Sequence, residues 1–182
     1  MDTVFHEIEP IFNRDSKILI LGSFPSVKSR EGHFFYNHPQ NRFWKVLAKI
    51  FNCEVPQTIE EKKQFLLNNQ IAVWDVIASC EIKGSSDSSI KHVVPNDLNR
   101  ILSVSHIEQI YTNGNAAFQL YEKYCKSQTH MDAIKLPSTS PANAVYSLEK
   151  LVEIWKSITP IYCTQKSRVA HLMHLPTFHY ND

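Results

Sequence analysis

The sequence predicts an α/β fold, a three-layer α/β/α sandwich around a central, mostly parallel four-stranded sheet. Four apolar runs of four to six residues are too short for buried helices and suit strands covered on both faces. Amphipathic segments of helical length separate the runs, an alternation typical of parallel sheets. With 182 residues, the chain predicts one domain over residues 1–163 and a C-terminal tail over residues 164–182, helical or partly disordered.

The strands and helices can be placed in order along the chain. The predicted strands cover residues 17–21, 71–76, 108–112 and 133–136. The predicted helices cover residues 41–51, 59–68, 96–103, 116–126 and 147–157, and the last of them repeats its apolar residues on one helix face. Ligands of open parallel sheets bind beyond the carboxyl ends of the strands. The segments that follow the four strands are therefore where chemistry is expected.

The charge and hydropathy of the chain exclude several classes of protein. Nineteen Lys and Arg residues against eighteen Asp and Glu residues give a formal net charge of +1. Any contact with nucleic acid must therefore come from a local basic patch. No apolar run reaches the ~20 residues that span a bilayer, and the first residues lack the apolar core of a secretory signal. We expect a cytoplasmic monomer without a membrane contact.

The chain carries no fingerprint of a nucleotide cofactor or a metal site. Neither G-x-G-x-x-G nor G-x-x-x-x-G-K-[ST] occurs, which excludes the common dinucleotide and phosphate-binding loops. The four cysteines are far apart, at Cys53, Cys80, Cys125 and Cys163, and never form the C-x-x-C spacing of zinc and iron–sulfur sites. We expect no metal and no organic cofactor.

Two stretches of the chain carry a resemblance to a known family. Residues 22–44 read GSFPSVKSREGHFFYNHPQNRFW, and residues 136–152 read LPSTSPANAVYSLEKLV. They resemble the G-x-N-P-G … F-x-H-P-x-N-R-F-W loop and the N-P-S-G-L-S loop of the uracil-DNA glycosylase superfamily. The forms G-S-F-P and L-P-S-T-S-P-A-N, together with the intervening WDVIASCEIKGSSDSSI, resemble most closely the hypoxanthine-DNA glycosylase (DNA-deoxyinosine glycosylase) branch. The resemblance covers nearly the whole chain except the tail, and it implies an enzyme acting on double-stranded DNA that holds a damaged base.

The resemblance implies that Asn41 is the catalytic residue. Most of the superfamily holds the attacking water with an Asp or Asn just before the proline of the first loop, but Phe24 stands there in this chain. In the hypoxanthine branch the working residue is the Asn of H-P-x-N, which is Asn41 by position. Its amide can accept from water and donate to the base or the sugar. Asn41 also precedes a predicted helix directly, so a plain N-cap is the alternative interpretation.

The same match implies the remaining site residues. Tyr36 stands where an aromatic ring stacks on the flipped base, and the alternative is a tyrosine of the core or rim. The other expected base contacts are Gly22, Ser23, Phe24 and Ser138. The expected DNA contacts are the cations Lys28 and Arg42 and the loop residues Ser140, Pro141, Ala142 and Asn143. That loop either fills the gap left by the flipped base or forms a plain turn.

These features predict a monofunctional DNA glycosylase. It flips out a deaminated base, hypoxanthine in preference and uracil second, and hydrolyses the N-glycosidic bond with an Asn-positioned water to leave an abasic site. No lysine stands in a matched catalytic position, so the amine nucleophile of enzymes that also cut the backbone is not expected. Two alternatives stay open: a catalytically silent module that binds DNA lesions, and an α/β hydrolase of nucleosides.

Overall fold

A four-stranded parallel sheet forms the centre of the protein. The computed structural model describes residues 3–159, and the predicted boundary at residue 163 and the tail over residues 164–182 lie outside them. The strands, in spatial order, are β3 (Ile71–Asp75), β2 (Ile18–Gly22), β6 (Gln109–Asn113) and β7 (Ala133–Leu136). All three pairings are parallel. Every residue of β2 and β3 is buried, which requires cover on both faces of the sheet and confirms the predicted α/β fold.

Within residues 3–159, seven helices connect and cover the strands. They are α1 (Val27–Glu31), α2 (Phe43–Ile50), α3 (Ile59–Asn68), α4 (Asn99–Leu102), α5 (Asn115–Tyr124), α6 (Lys126–Thr129) and α7 (Leu148–Trp155). Short 3₁₀ helices lie at Asp87–Ser89 and Lys156–Ile158. The α3 helix begins at a capping box in which Thr58 and Glu61 satisfy each other's backbone N–H groups. None of the helices among the described residues has the length and apolar character that crossing a membrane requires.

A second, antiparallel sheet was not predicted from the sequence. It consists of β1 (Thr3–Phe5), β4 (Ile77–Glu81) and β5 (Lys91–Pro95), with β4 in the centre. A single residue, Val76, separates β3 from β4, so the sequence reads as one apolar strand followed by a polar segment. Because β1 pairs with β4, the N-terminal residues lie beside the end of β3.

Aromatic packing beneath the sheet edge fixes the two loops that resemble the family motifs. The rings of Phe43 in α2 and Trp155 in α7 meet edge to face, with centroids 5.9 Å apart, and both side chains are fully buried. The indole Nε1 of Trp155 donates to the carbonyl of Pro137 at 2.9 Å. Trp155 therefore ties the start of the second loop to α7 and, through its contact with Phe43, to α2, the helix that follows the first loop.

Candidate active site

A cavity of about 130 Å³ opens where β2, β3 and β6 end. Its position is the one that the topology of a parallel sheet predicts for a ligand. The predicted site residues that line it are Gly22, Ser23, Phe24, Tyr36, Asn41, Ser138 and Ser140. Polar residues that were not predicted line it as well: Asp75, Asp87, Asn113 and Thr139. Among the residues that the structure describes, no three His, Cys, Asp or Glu side chains are grouped to hold a metal ion.

The N-cap of α2 is Arg42, so Asn41 is not the plain N-cap of the alternative interpretation. Asn41 instead holds the start of the helix from the residue before the N-cap, and the residue also lines the cavity. Its Oδ1 accepts from the backbone N–H of Phe43, at the start of α2, and from the Thr139 hydroxyl, both at 2.9 Å. The backbone donor fixes the orientation of the amide, because only an oxygen can accept there. Both lone pairs of Oδ1 are thus engaged, and Nδ2 has no hydrogen-bond partner within residues 3–159. The donor left without a partner is therefore Nδ2, on a residue that lines the cavity.

Thr139 joins the two motif loops to the sheet. Its N–H donates to Asn113 Oδ1, and its hydroxyl accepts from Asn113 Nδ2, both at 2.9 Å. The same hydroxyl donates to Asn41, and the Thr139 carbonyl accepts from the N–H of Arg42 at 3.1 Å. Thr139 is fully buried, so its polar groups depend on these partners.

Tyr36 forms one aromatic wall of the cavity. One face of its ring is stacked on Phe43, with centroids 3.8 Å apart and an angle of 21° between the rings. The hydroxyl is buried and has no hydrogen-bond partner among the described residues. Burial raises the pKa of Tyr36, and the charge of Asp75 raises it further, so the hydroxyl stays protonated at any physiological pH.

The cavity floor holds a buried carboxylate beside Gly22. Asp75 is the last residue of β3 and pairs with Gly22 in register across the sheet. A Cβ atom on Gly22 would lie 2.2 Å from Asp75 Oδ1 and 3.4 Å from the Tyr36 hydroxyl. The other oxygen, Oδ2, accepts from His6 Nε2 at 2.7 Å. Glycine at position 22 is therefore required by close approach, and it leaves room for Asp75 at the floor.

A second carboxylate lies at the cavity mouth. Asp87 Oδ1 accepts from the Ser23 hydroxyl at 2.8 Å. Loss of hydration raises the pKa of the Asp87 carboxyl above its ordinary value; the Ser23 hydrogen bond opposes this, and the charge of Asp75 adds to it. The cavity thus has an acidic lining, which disfavours a phosphate inside it.

The predicted cation Arg42 holds the second motif loop in place. Its guanidinium donates to the carbonyls of Thr139, Ser140, Asn143 and Tyr146. Most of its five donors are therefore used inside the protein, which favours a role in shaping the loop over a phosphate contact. The other predicted cation, Lys28, is exposed and pairs with Glu31 in the same helix at 2.8 Å.

The loop that Arg42 holds lies outside the cavity, apart from its first residues. Pro141 and Ala142 are exposed, and Asn143 is half-buried because its Nδ2 donates to the Ser138 carbonyl at 2.9 Å. The most exposed large apolar side chain of this loop is Val145, which is 89% exposed. The loop therefore presents a larger apolar group than Ala142, the small residue that the motif match places in the gap.

Two lysines that were not predicted as site residues lie in a groove beside the cavity. Lys91 and Lys123 line this groove together with His92, and the groove shares Asp87 with the cavity. The two lysines come from β5 and α5, which lie outside the two family motifs, so only the fold brings them together. They place positive charge beside the acidic cavity.

Replacement of Gly22 by Ala should destabilise the fold, because the new methyl group would clash with the Asp75 carboxylate. We expect the free energy of unfolding to fall by about 1–3 kcal/mol, because the new methyl group displaces a hydrogen-bonded, buried carboxylate. Chemical denaturation of Gly22→Ala, Asp75→Ala and the double variant measures this. If Asp75 is the obstacle, Gly22→Ala is less destabilising in the Asp75→Ala background. Strictly additive losses would contradict this explanation.

The raised pKa of Asp87 predicts a pH-dependent effect on stability. A carboxyl with a raised folded-state pKa favours folding below its unfolded pKa of ~3.9, and this contribution is lost as pH rises through the folded value. Asp87→Asn should therefore raise the thermal unfolding midpoint at pH 7, and the gain should shrink towards pH 3. Asp97→Asn, on an aspartate that does not line the cavity, is the matched control. Equal gains at both pH values would refute the assignment.

Comparison with known proteins confirms the resemblance. The model of the uracil DNA glycosylase superfamily matches residues 9–159. A hypoxanthine DNA glycosylase of Methanosarcina acetivorans is 31% identical over 150 residues, covering 81% of this chain and 93% of that protein. A protein of the same name from Methanosarcina barkeri is 29% identical over 136 residues, covering 74% of this chain and 85% of that protein.

A solved structure agrees with the fold. The solution NMR structure of a Methanosarcina acetivorans protein assigned to the uracil DNA glycosylases superposes with a TM-score of 0.69 at 29% identity. The match covers 83% of this chain and 93% of that one. Both predicted motif loops lie within the matched family region. The chain therefore belongs to the uracil DNA glycosylase superfamily and is a DNA glycosylase, a hydrolase of N-glycosyl bonds.

Proposed function

We propose that this enzyme releases hypoxanthine from double-stranded DNA, and uracil second, and leaves an abasic site. The observation that carries the proposal is one narrow cavity with an aromatic wall at Tyr36 and an amide donor at Asn41. Such a cavity admits one flat base and not a base pair, so the nucleotide must leave the stack. The two archaeal relatives named as hypoxanthine DNA glycosylases support hypoxanthine as the preferred base.

Tyr36 stacks on the flipped base. Phe43 covers one face of its ring and fixes the ring's orientation, and Tyr36 lines the cavity. A rigid ring held in this way stacks on a base without first losing rotamer freedom, and such stacking is worth ~1–3 kcal/mol per base. A second aromatic residue, Phe24, also lines the cavity. Its buried ring meets His6 edge to face and lies under the Arg30 guanidinium.

Asn41 positions the attacking water through Nδ2. A neutral amide whose oxygen is fully engaged can orient a water but cannot take its proton. Bond breaking must therefore lead: the C1′–N bond opens with its electron pair going to the base, and the sugar develops positive charge. The water oxygen then bonds to C1′, and its proton passes to solvent. No lysine lines the described cavity, which supports a monofunctional enzyme.

The serine variant of Asn41 separates catalysis from the structural role at the start of α2. A serine hydroxyl can also accept from the backbone N–H two residues on, so Asn41→Ser should largely keep the contact with Phe43 while it removes the amide donor. We expect single-turnover release of hypoxanthine to fall by about 100-fold. Duplexes that hold one hypoxanthine, one uracil or neither are incubated with enzyme, and alkali then reveals the abasic sites.

The reactions of the wild type and of Asn41→Ser together decide between the proposed function and its alternatives. Full activity of Asn41→Ser would move the catalytic role to another residue, and Ser138 would be tested next. Binding without release of any base would favour the silent lesion-binding module. Saturable cleavage of free inosine, with no release from DNA, would favour the nucleoside hydrolase.

Val145 inserts into the stack when the base leaves it. It is the most exposed large apolar side chain among the described residues, on a loop that Arg42 braces beside the cavity. Apolar side chains on braced loops stabilise unstacked DNA by filling the gap. The neighbouring residues Ser140, Pro141, Ala142 and Asn143 then contact the strand around the gap.

Loss of the Val145 side chain should slow release only where a base must be flipped from a duplex. We expect Val145→Ala to lower the single-turnover rate about 10-fold on duplex DNA and to leave single-stranded DNA nearly unaffected, because a single strand has little stack to open. Val104→Ala, a half-exposed valine elsewhere, is the control. Equal losses on both substrates would argue against a role in flipping.

That the enzyme acts as a cytoplasmic monomer stays a prediction.

A further inference from the structure

A second groove, of about 330 Å³, borders the active-site cavity and shares Tyr36 and Asn41 with it. We call it the α2–α3 groove, because the rest of its lining comes from the first motif loop, the start of α2, the segment between α2 and α3, and α3 itself. Within residues 3–159, no Asp or Glu side chain lines this groove, whereas Asp75 and Asp87 line the cavity. The two sites therefore differ in charge, and the groove is the one that suits an anion.

Two lysines give the α2–α3 groove its positive charge. Lys45 lies in the first turn of α2, and Lys62 lies in α3. The ion pairs that lysines form among the described residues do not include these two. Glu61, which precedes Lys62 in the sequence, accepts instead from the backbone N–H of Thr58 in the capping box of α3. Both ammonium groups thus face the groove region without a carboxylate to neutralise them.

Aromatic rings hold the Lys62 ammonium in place. It lies 5.3 Å from the centroid of the Trp44 ring and 5.9 Å from that of Phe34, and these two buried rings are stacked on each other. Partial loss of hydration lowers the pKa of Lys62, because water solvates its charge less well there than at an open surface. A bound anion would supply the compensation that water does not.

Neutral N–H donors add to the two cations. The Nδ1 atom of His38 accepts from the backbone N–H of Gln40 at 3.2 Å, so the ring proton is on Nε2, which has no partner among the described residues. Trp44 also lines the groove, and its buried Nε1 has no hydrogen-bond partner within residues 3–159. Ammonium groups and N–H donors together are what phosphate oxygens bind.

The position of the groove indicates which phosphate it receives. A flipped nucleotide places its base in the cavity, but its sugar and the phosphates on either side stay outside. Tyr36 and Asn41 belong to both the cavity and the groove, so a phosphate in the groove lies close to the sugar of that same nucleotide. The damaged strand is therefore the strand that the groove can reach.

Other cations near the cavity are less suited to this phosphate. Arg42 uses its donors on carbonyls of the second motif loop, and Lys28 is paired within its own helix. The groove that Lys91 and Lys123 line also contains the Asp87 carboxylate, which repels a phosphate. The α2–α3 groove is free of such a carboxylate.

We propose that the α2–α3 groove binds one backbone phosphate of the damaged strand, next to the flipped nucleotide, through Lys62 and Lys45. This inference rests on the proposed function, since the base in the cavity determines where the strand lies. Both lysines stand outside the two family motifs, which cover residues 22–44 and 136–152. A phosphate held in the groove keeps the sugar beside Asn41 after the base has left the stack.

Replacement of Lys62 by Gln should weaken binding of damaged DNA. We expect the dissociation constant to rise about 10-fold at low salt, and the slope of its logarithm against the logarithm of salt concentration to fall by about one. Binding is measured by fluorescence anisotropy on a duplex whose hypoxanthine nucleotide carries a 2′-fluorine, which blocks hydrolysis by disfavouring positive charge on the sugar. Lys63→Gln, the same substitution on the next, exposed residue of α3, is the matched control and should have little effect.

Neutral phosphates identify the contact directly. One methylphosphonate, which lacks the phosphate charge, is placed at each of the three phosphates on either side of the lesion and at the facing positions of the other strand. All strands have hydroxyl ends, so only internal phosphates are available. At one position of the damaged strand, we expect the substitution to weaken wild-type binding about 10-fold and Lys62→Gln binding at most about 2-fold. With Lys63→Gln the two losses should multiply at every position.

The outcomes separate this inference from the proposed function. Loss of coupling at one damaged-strand phosphate in Lys62→Gln alone supports the phosphate contact. Losses that multiply at every position, coupling only on the undamaged strand, or equal effects of Lys62→Gln and Lys63→Gln overturn it. Lys45→Gln, on an exposed residue of the same groove, replaces Lys62→Gln in the comparison if thermal unfolding shows that the latter does not fold. Failure of the wild type to release hypoxanthine from an ordinary duplex overturns the proposed function itself.

Discussion

The hydrogen bonds of Thr139 hold the active site together. Thr139 is fully buried, and its N–H, hydroxyl and carbonyl are all engaged: with Asn113 at the end of β6, with Asn41, and with the backbone of Arg42. The strand end is part of a rigid parallel sheet, so both motif loops take their positions from it. Asn41 and the second loop are 98 residues apart in sequence, and this is the direct link between them. A site that must hold a reacting group within a fraction of an ångström needs such support from buried neighbours.

A structural role and a catalytic role are usually weighed as rival explanations of an Asn before a helix, but here the first supports the second, proposed one. The bonds from Phe43 and Thr139 occupy the oxygen of Asn41 and leave its NH₂ group as the donor without a partner among residues 3–159. The contacts at the start of α2 therefore orient the donor that the proposed mechanism uses. An amide fixed in this way can position a water but cannot deprotonate it, so the proposed mechanism requires the base to depart first.

Local patterns predicted the parallel sheet well, because each of its strands is a short apolar run that leaves its mark on the sequence. The four strands lie within one residue of the expected bounds, and α3 has the expected bounds because of its capping box. The antiparallel sheet was missed because β1 is three residues long and β4 follows β3 after one residue. His6 could not be placed in the site, since its contact with Asp75 spans 69 residues and depends on β1 pairing with β4. For Arg42, proximity to a motif favoured a phosphate contact, whereas the structure directs its donors to loop carbonyls.

The acidic lining of the cavity works against the proposed reaction. As a glycosidic bond opens, negative charge develops on the departing base, and the buried carboxylate of Asp75, which lines the cavity, repels it. A donor that is fixed before the reaction offsets such repulsion well, because it needs no rearrangement while the charge forms. The Asn41 amide is held in this way by its bonds to Phe43 and Thr139, so in the proposed reaction the hydrogen bonds that position the two motif loops also help to offset the charge of the cavity lining.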